Sequence, residues 1–174
     1  MLIYKKLDKK DITEEQFKQI MSVENSTGTG YSEEVMRQIW VEDDKDDNFV
    51  CIDKDKIVAH ASYNPKSKRR NGSIYMVNLT VLPEYRRRGI AQNLIYTACK
   101  YYMDKGVKLL MSTSVDKDNT PAINLYQKVG FKIKTPICEA DKDDTQYILD
   151  STLNNVATIL NNLLNSNQKS NTKQ

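Results

Sequence analysis

Arg86-Arg87-Arg88-Gly89-Ile90-Ala91 is the most informative stretch of this 174-residue chain. It follows a strand-like run, residues 74–82, and opens an amphipathic segment that extends to Met103. The first N–H groups of a helix have no partner within the helix, and the helix dipole favours negative charge there. Small residues let a phosphate approach the backbone, and the arginines add positive charge. The stretch therefore predicts a site for a cofactor that carries a pyrophosphate, although a solvated strand-to-helix junction is the alternative.

A second informative element occupies residues 119–131, whose sequence is NTPAINLYQKVGF. Asn119 or Thr120 suits an N-cap, Pro121 suits the first turn, and Gly130 suits the position after the helix. Four apolar or aromatic residues fall on one helical face: Ala122, Leu125, Tyr126 and Val129. A strand candidate at residues 108–115 separates this helix from the basic turn.

Together, the two elements resemble the GCN5-related N-acetyltransferase (GNAT) family. Its acetyl-CoA motif, Arg/Gln-x-x-Gly-x-Gly/Ala, is matched by Arg86, Gly89 and Ala91. Its later motif is matched by Asn119, Ala122, Leu125, Tyr126, Gly130 and Phe131. The resemblance is good from about Asn48 to Phe131 and weaker on both sides. It implies an α/β fold with a mixed, mostly antiparallel central sheet flanked by helices.

The resemblance also implies where acetyl-CoA binds. Main-chain groups of residues 87–92 are expected to bind the pyrophosphate. The preceding strand is expected to pair with the pantetheine arm, and one of its N–H groups to polarise the thioester carbonyl. Asn119 is expected to contact the cofactor arm, to cap its helix, or to do both. The expected cofactor-binding residues are Leu79, Thr80, Val81, Arg86, Arg87, Arg88, Gly89, Ile90, Ala91, Gln92 and Asn119.

Tyr126 is the expected general acid, because its position in the motif corresponds to that role in the family. A free tyrosine titrates near ~10 and a thiol near ~8.5, so the phenol is protonated at neutral pH and can donate a hydrogen bond to a forming thiolate. A buried core tyrosine is the alternative interpretation of this residue.

The general base is not evident from the sequence. Where family members that act on protein N-termini carry a glutamate, this chain has Ser114, and where many others carry a carboxylate it has Val77 and Asn78. Glu24 lies in the segment that borders the acceptor site in the family, so it is a candidate for acceptor contact. The alternatives are a solvated charge at a helix end for Glu24, and a chain of water molecules as the proton acceptor.

Composition excludes several classes of protein. The length predicts one domain, and the net charge of +3 does not demand nucleic acid. No apolar run is long enough to span a membrane, and the single histidine leaves little for a metal site. Three cysteines without ligand spacing and no signal peptide predict free thiols in the cytoplasm: Cys51, Cys99 and Cys138.

The C-terminal region differs from the rest. We expect the acetyltransferase domain at residues 1–150, an amphipathic helix at 151–166 and a disordered tail at 167–174. The helix carries an apolar stripe of Leu153, Val156, Ile159, Leu160, Leu163 and Leu164. The stripe either packs on its own domain or forms an interface with a second subunit or another partner, which leaves a homodimer open.

Other polar features have two interpretations each. The acidic loop at residues 42–47 either attracts a cationic acceptor, such as a polyamine, or is simply solvated. The basic loop at residues 65–72 either touches nucleic acid or the cofactor 3′-phosphate, or is solvated; the solvated state is expected. His60 alternates with alanines on a strand, which favours a structural role over a catalytic one.

These patterns predict an enzyme that transfers an acetyl group from acetyl-CoA to a primary amine of a small molecule or peptide. Because no cysteine occupies a nucleophile position, direct attack in a ternary complex is expected rather than an acyl-enzyme. The alternative is a catalytically weak module that binds acyl-CoA and docks a partner through its last helix.

Overall fold

The computed structural model describes residues 1–28, 30–67, 73–107, 110–134 and 145–171. Seven strands form one sheet, in the order β1-β2-β3-β4-β5-β7-β6. Their bounds are β1 Leu2–Leu7, β2 Asp47–Asp53, β3 Lys56–Asn64, β4 Ile74–Val81, β5 Leu110–Asp116, β6 Lys132–Lys134 and β7 Gln146–Thr152. Neighbouring strands are antiparallel except for the parallel pair β4 and β5, which confirms the predicted mixed sheet.

Within the described ranges, five α-helices flank the sheet: α1 Glu14–Asn25, α2 Glu33–Arg37, α3 Ile90–Asp104, α4 Thr120–Lys128 and α5 Leu153–Asn171. A π-helical turn, Gln38–Glu42, continues α2. α1 begins at a capping box, in which Thr13 and Gln16 bond to each other's main-chain N–H groups. Its buried side is Phe17, Ile20, Val23 and Glu24, so one charged residue faces the core.

α1 and α3 cover opposite faces of the sheet. On β3, the Nε2 atom of His60 lies 3.0 Å from an oxygen of Glu24 on α1. Tyr63 of the same strand packs against Tyr102 of α3, with ring centroids 6.4 Å apart. Because side chains alternate along a strand, residues three positions apart point to opposite faces.

The pairing of β4 with β5 is short. Only Ile74–Met76 pairs with Met111–Thr113, although both strands continue further in the same direction. The β3–β4 register also shifts, between Ser62 and Tyr63, so that Val77 is the extra residue on β4. The two parallel strands therefore separate and leave a gap between their carboxyl-terminal halves.

α5 packs on its own domain, which is one of the two alternatives predicted from its stripe. Leu153, Val156, Ala157 and Leu160 are buried, and the helix lies against α3. Asn155 also donates from its side chain to the Gly130 carbonyl, which ties α5 to the end of α4. Ile159 and Leu163 of the stripe are only partly buried, so contact of this helix with a partner stays a prediction.

Two predicted boundaries at this end differ from the structure. Residues 151–152 belong to β7, and the helix begins at Leu153 because its apolar repeat starts there. The helix continues to Asn171, so residues 167–171 lie in α5 rather than in the expected disordered tail. The last residues, 172–174, lie outside the described part of the chain.

The cysteines agree with the sequence where they are described. Cys51 and Cys99 are free and buried, as expected of core thiols. Burial raises the pKa of both, to about 11 for Cys51 and about 12 for Cys99, so neither is a ready nucleophile. The prediction for Cys138 lies outside the described residues.

Candidate active site

The turn between β4 and α3 presents unpaired main-chain N–H groups. After the three-ten turn Pro83–Tyr85, Arg87 and Gly89 both adopt left-handed conformations, with φ of 62° and 75°. Gly89 is the N-cap of α3, and no side chain caps the helix. The earliest helical bond recorded for this end runs from the Asn93 N–H to the Gly89 carbonyl. The N–H groups of residues 90–92 are therefore left for a ligand.

The three arginines of the turn have different tasks. Arg86 donates from Nε to the Val81 carbonyl at 3.0 Å, and Arg88 donates to the Glu84 carbonyl at 2.7 Å. Both side chains therefore hold the turn in shape. Within the described part of the chain, the Arg87 side chain has no hydrogen-bond or ion-pair partner. Arg87 is thus the arginine best placed to meet an anion.

A groove of about 800 Å³ lies between this turn and α4, and we call it the donor groove. It is lined by Val81, Tyr85, Arg86, Arg87, Arg88, Gly89, Ile90, Ala91, Gln92, Pro121, Leu125 and Lys128. The structure thus brings most of the predicted cofactor-binding residues to one surface. Leu79, Thr80 and Asn119 do not line the groove.

The main chain of β4 nevertheless faces the gap beside the groove. The Leu82 N–H donates to the Val58 carbonyl of β3 at 3.0 Å. Because antiparallel pairs alternate, Thr80 also turns its main-chain groups to β3, whereas Leu79 and Val81 turn theirs away. The Leu79 N–H and carbonyl and the Val81 N–H are therefore directed into the gap between β4 and β5.

Tyr126 lies at the closed end of this gap. It is 7% exposed, its ring lies 5.8 Å from that of Phe131, and its hydroxyl bonds with Thr113, where the β4–β5 pairing ends. Burial raises the pKa of Tyr126 to about 12, although the bond with Thr113 lowers it in part. The phenol is thus neutral and suited to donating a hydrogen bond rather than to releasing its proton fully.

Asn119 has one of the two roles expected for it. Its side-chain oxygen accepts from the Ala122 N–H at 3.2 Å and so caps α4. Contact with a cofactor arm stays a prediction.

Glu24 is buried, with 3% of its surface exposed, so the alternative of a solvated helix-end charge is wrong. It accepts from the Tyr31 N–H at 3.0 Å and from the Thr80 hydroxyl at 3.1 Å. Burial raises the pKa of Glu24, but the nearby His60 ring and the two hydrogen-bond donors, Tyr31 and Thr80, outweigh it, so the net pKa is lowered from its ordinary value. The carboxylate is therefore ionised and fully engaged within the protein.

Sequence reasoning missed the pairing of His60 with Glu24. His60 is fully buried and its ring meets Trp40 edge-on, with centroids 5.4 Å apart. The one signal in the sequence was the position of the histidine between two alanines on a strand, which pointed inward but named no partner.

The model of the acetyltransferase (GNAT) family matches residues 12–131. The chain belongs to the GNAT family. The matched range contains every residue predicted for the site, from Glu24 to Tyr126.

Two sequence relatives show how far the likeness extends. The cysteine-rich protein 2-binding protein of Mus musculus is 38% identical over 107 residues, which are 62% of this chain and 13% of that protein. GCN5-related N-acetyltransferase 6, chloroplastic, of Arabidopsis thaliana is 39% identical over 101 residues, which are 58% of this chain and 34% of that protein. This chain therefore spans well under half of either relative.

Solved structures share the fold at low identity. The ribosomal-protein-S18-alanine N-acetyltransferase from Escherichia coli has a TM-score of 0.70 at 19% identity, over 88% of this chain and 94% of that one. The PaiA N-acetyltransferase from Thermoplasma acidophilum, crystallised with coenzyme A, has a TM-score of 0.65 at 17% identity, over 87% and 99%. The fold of this chain is thus that of GNAT acetyltransferases.

The positions at which GNAT members often carry a carboxylate hold uncharged groups here. The Ser114 hydroxyl bonds with the hydroxyl of Tyr75, which lies on β4. The Asn78 side chain lies 3.7 Å from the sulfur of Met36, on α2. Both groups are part of the protein's own packing, so the structure, like the sequence, offers no general base at these sites.

The acidic loop does not border the donor groove. Asp43 pairs with Lys45 at 2.7 Å, and Asp47 contacts Lys6 at 3.2 Å. The aspartates 44, 46 and 47 line a separate cavity of about 360 Å³ beside β1. In the basic loop, residues 68–72 lie outside the described part, so the prediction there is unchanged.

Over the ranges that the structure describes, no group of three or more His, Cys, Asp or Glu side chains is placed to hold a metal ion. Over the same ranges, every helix is too short or too polar to cross a membrane.

Proposed function

We propose that this chain is an N-acetyltransferase that transfers the acetyl group of acetyl-CoA to a primary amine by direct attack in a ternary complex. One observation carries the proposal: the N–H groups at the start of α3 are unpaired, and Val81, whose main-chain N–H points away from β3 like that of Leu79, lines the same groove. The first set suits a pyrophosphate, and the second suits an extended amide-bearing arm. Membership of the GNAT family supports the same cofactor.

The donor is bound in two parts. The pyrophosphate accepts from the main-chain N–H groups of residues 90–92, with the Arg87 guanidinium as a further positive charge. The pantetheine arm pairs with Leu79 and Val81 as an added strand. This arrangement holds the thioester carbon near the gap between β4 and β5, open to the amine from the face that carries α1 and α2.

In the transfer itself, the lone pair of the neutral amine attacks the thioester carbon and a tetrahedral intermediate forms. A main-chain N–H of β4 stabilises the oxyanion. The carbon–sulfur bond then breaks, and the Tyr126 hydroxyl donates a hydrogen bond to the departing thiolate. A thiolate is the weaker base, with a pKa near ~8.5 against about 12 for Tyr126, so the phenol keeps its proton while it stabilises the charge. The proton lost by the amine passes to solvent.

The acceptor is a small-molecule or peptide amine. Among the residues that the structure describes, four with uncharged side chains border the acceptor face of the gap, namely Tyr31, Tyr75, Asn78 and Ser114. These four side chains do not by themselves favour a polyamine over a monoamine or a peptide N-terminus.

The experiment is thiol release from acetyl-CoA in the presence of four amines. The probes are a peptide with a free N-terminus, an N-acetylated peptide with one lysine, spermidine and kanamycin. We expect at least one of them to raise the release of coenzyme A well above the rate with acetyl-CoA and water. Binding of acetyl-CoA without amine-dependent release for any probe would contradict the proposal and favour a binding module.

A further inference from the structure

Three buried side chains from separate elements meet beside the gap. Glu24 lies in the last turn of α1, His60 lies on β3, and Thr80 lies on β4. Their exposed fractions are 3%, 0% and 7%. One oxygen of Glu24 accepts from the Thr80 hydroxyl at 3.1 Å and lies 3.0 Å from His60 Nε2. The other oxygen accepts from the main-chain N–H of Tyr31 at 3.0 Å.

Tyr31 belongs to the α1–α2 loop, the segment between Asn25 and Glu33. The loop lies close to Glu24 only because residue 30 is glycine. A Cβ at Gly30 would lie 2.7 Å from the Glu24 carbonyl oxygen and 2.8 Å from its Cγ, distances that real contacts do not reach. The φ angle of Gly30 is not in the left-handed region, so the requirement for glycine is steric.

Both oxygens of Glu24 are occupied, which bears on what it can do. A buried carboxylate is stable only when its partners satisfy it. Here the hydrogen-bond donors come from the α1–α2 loop and β4, and His60 of β3 lies within 3.0 Å, so removing the charge would weaken the link between the loop and β4. An oxygen with an aligned, permanent donor is poorly placed to collect a proton from an amine. The geometry therefore favours a holding role for Glu24 over that of a general base.

The loop and β4 are the two sides between which an acceptor amine must fit. Thr80 lies between the two residues whose main-chain groups face the gap, Leu79 and Val81. Tyr31, 42% exposed, places its hydroxyl 3.5 Å from the Val77 carbonyl and so reaches the main chain of β4. Glu24 thus fastens the wall of the acceptor site to the strand expected to hold the thioester.

We propose that Glu24, supported by His60, is a positioning residue that sets the affinity for the acceptor amine by fastening the α1–α2 loop to β4. The inference rests on the proposed function, because it assigns the acceptor to the face of the gap beneath this loop. It separates the site into a donor side that does not depend on Glu24 and an acceptor side that does.

The test compares Gly30→Ala and Glu24→Gln with wild type in steady-state kinetics, with the probe amine that wild type acetylates fastest. A hydrogen bond to a charged group lost in this way corresponds to about a tenfold change or more. We expect the KM for the amine to rise by about tenfold in both variants, while kcat changes by less than about threefold. The Kd for acetyl-CoA, from calorimetry, should stay within about twofold of wild type.

Matched variants separate positioning from general damage. Thr80→Val removes the hydroxyl at constant size and should raise the KM for the amine. Thr80→Ser keeps the hydroxyl, so its KM should stay close to that of wild type. Gly28→Asn changes the other described glycine of the loop, where an added Cβ would meet no atom within 4 Å and Asn tolerates the left-handed φ of 72°. It should leave the KM unchanged.

Three results would overturn the inference. One is a fall in kcat with an unchanged KM for the amine, which would make Glu24 a participant in the chemical step. Another is a loss of acetyl-CoA affinity as large as the rise in the KM for the amine. The third is a KM for the amine in Thr80→Ser as high as that in Thr80→Val. If wild type acetylates none of the probes, the proposed function fails, and hydrogen exchange of the Tyr31 amide then decides. Faster exchange in Gly30→Ala than in wild type supports fastening of the loop, and equal rates contradict it.

Discussion

The two sides of the gap between β4 and β5 present different kinds of chemical group. The donor side uses main-chain N–H and carbonyl groups supplied by one continuous stretch, residues 79–92. The acceptor side uses side chains that are far apart in sequence, with Glu24 and Thr80 separated by 56 positions. A main-chain site keeps its function under most side-chain replacements, whereas a side-chain site can be lost through one substitution.

Because the donor side uses main-chain groups, its affinity for acetyl-CoA should be most sensitive to replacement of a glycine. Replacing Gly89 with Val should lower the affinity for acetyl-CoA by about 100-fold or more, because a β-branched side chain covers the N–H groups at the start of α3 and resists positive φ. A Cβ at Gly89 would meet no atom nearer than 3.8 Å, so the free protein has room for it. Calorimetry with acetyl-CoA measures the effect.

Gly106→Val is the matched control for this prediction. Gly106 has a φ of 74°, against 75° for Gly89, and an added Cβ there would also meet no close atom. Both variants therefore carry the same backbone strain, but Gly106 lies beyond the other end of α3. Equal losses of acetyl-CoA affinity in the two variants would show that strain, and not blocked N–H groups, explains the result.

Tyr126 tests the junction of the two sides. Tyr126→Phe should lower the chemical rate by about 100-fold, the low end for loss of one hydrogen-bond donor to a developing anion, because it removes only the hydrogen bond to the thiolate. The affinity for acetyl-CoA and the KM for the amine should both persist. Single-turnover kinetics measures the rate, and an unaltered rate would exclude the role of the phenol.

A substitution in the core, away from the gap, should lower stability and leave both sides of the gap unchanged. Leu160 is fully buried on α5, and Leu160→Ala should lower the free energy of unfolding by about 2–5 kcal/mol through the lost contacts and the cavity. Denaturant unfolding measures the loss. Below the melting temperature, acetyl-CoA binding and amine KM should match those of wild type, and a selective change in either would mean that α5 supports that side directly.

The smallest expected effect is the pH dependence of the acceptor side. The pKa of Glu24 is lowered in the folded protein, because donors that favour its ionised form outweigh burial, which alone would raise the pKa. Its ionised form therefore stabilises folding fully above the ordinary value of 4.5, and this stabilisation is lost as the pH falls through the lower folded value. The stability difference between wild type and Glu24→Gln should shrink as the pH falls below 4.5.

Denaturant unfolding of both proteins across this range measures that difference. The other carboxyl groups titrate in both proteins and cancel in the comparison. A difference that stays constant down to the lowest pH would contradict a lowered pKa for Glu24.

The same contrast explains what the sequence could predict. The basic turn and the capped helix at 119–131 are contiguous motifs, so their residues and the mixed sheet around them were predictable. The structural role of Arg86 and Arg88 was not predictable, because their partners are main-chain carbonyls that only the folded turn supplies. The proximity of Glu24 to His60 was not predictable either, since only the packing of α1 on β3 brings them together.

The length of α5 was also not predictable from the sequence. Residues 167–171 have the composition of a disordered tail, but they continue a helix whose first turns are held by packing on α3. Local composition reports the propensity of a segment and not what its neighbours in the chain already fix.

Hydrogen–deuterium exchange with and without acetyl-CoA tests the central claim most directly, because the claim is that main-chain N–H groups hold the donor. Acetyl-CoA should slow exchange in the peptides that contain Leu79–Val81 and residues 87–92. Exchange in β1, at the edge of the sheet, should not change. Acetyl-CoA that binds without slowing exchange at the start of α3, or that slows it only elsewhere, would contradict the account.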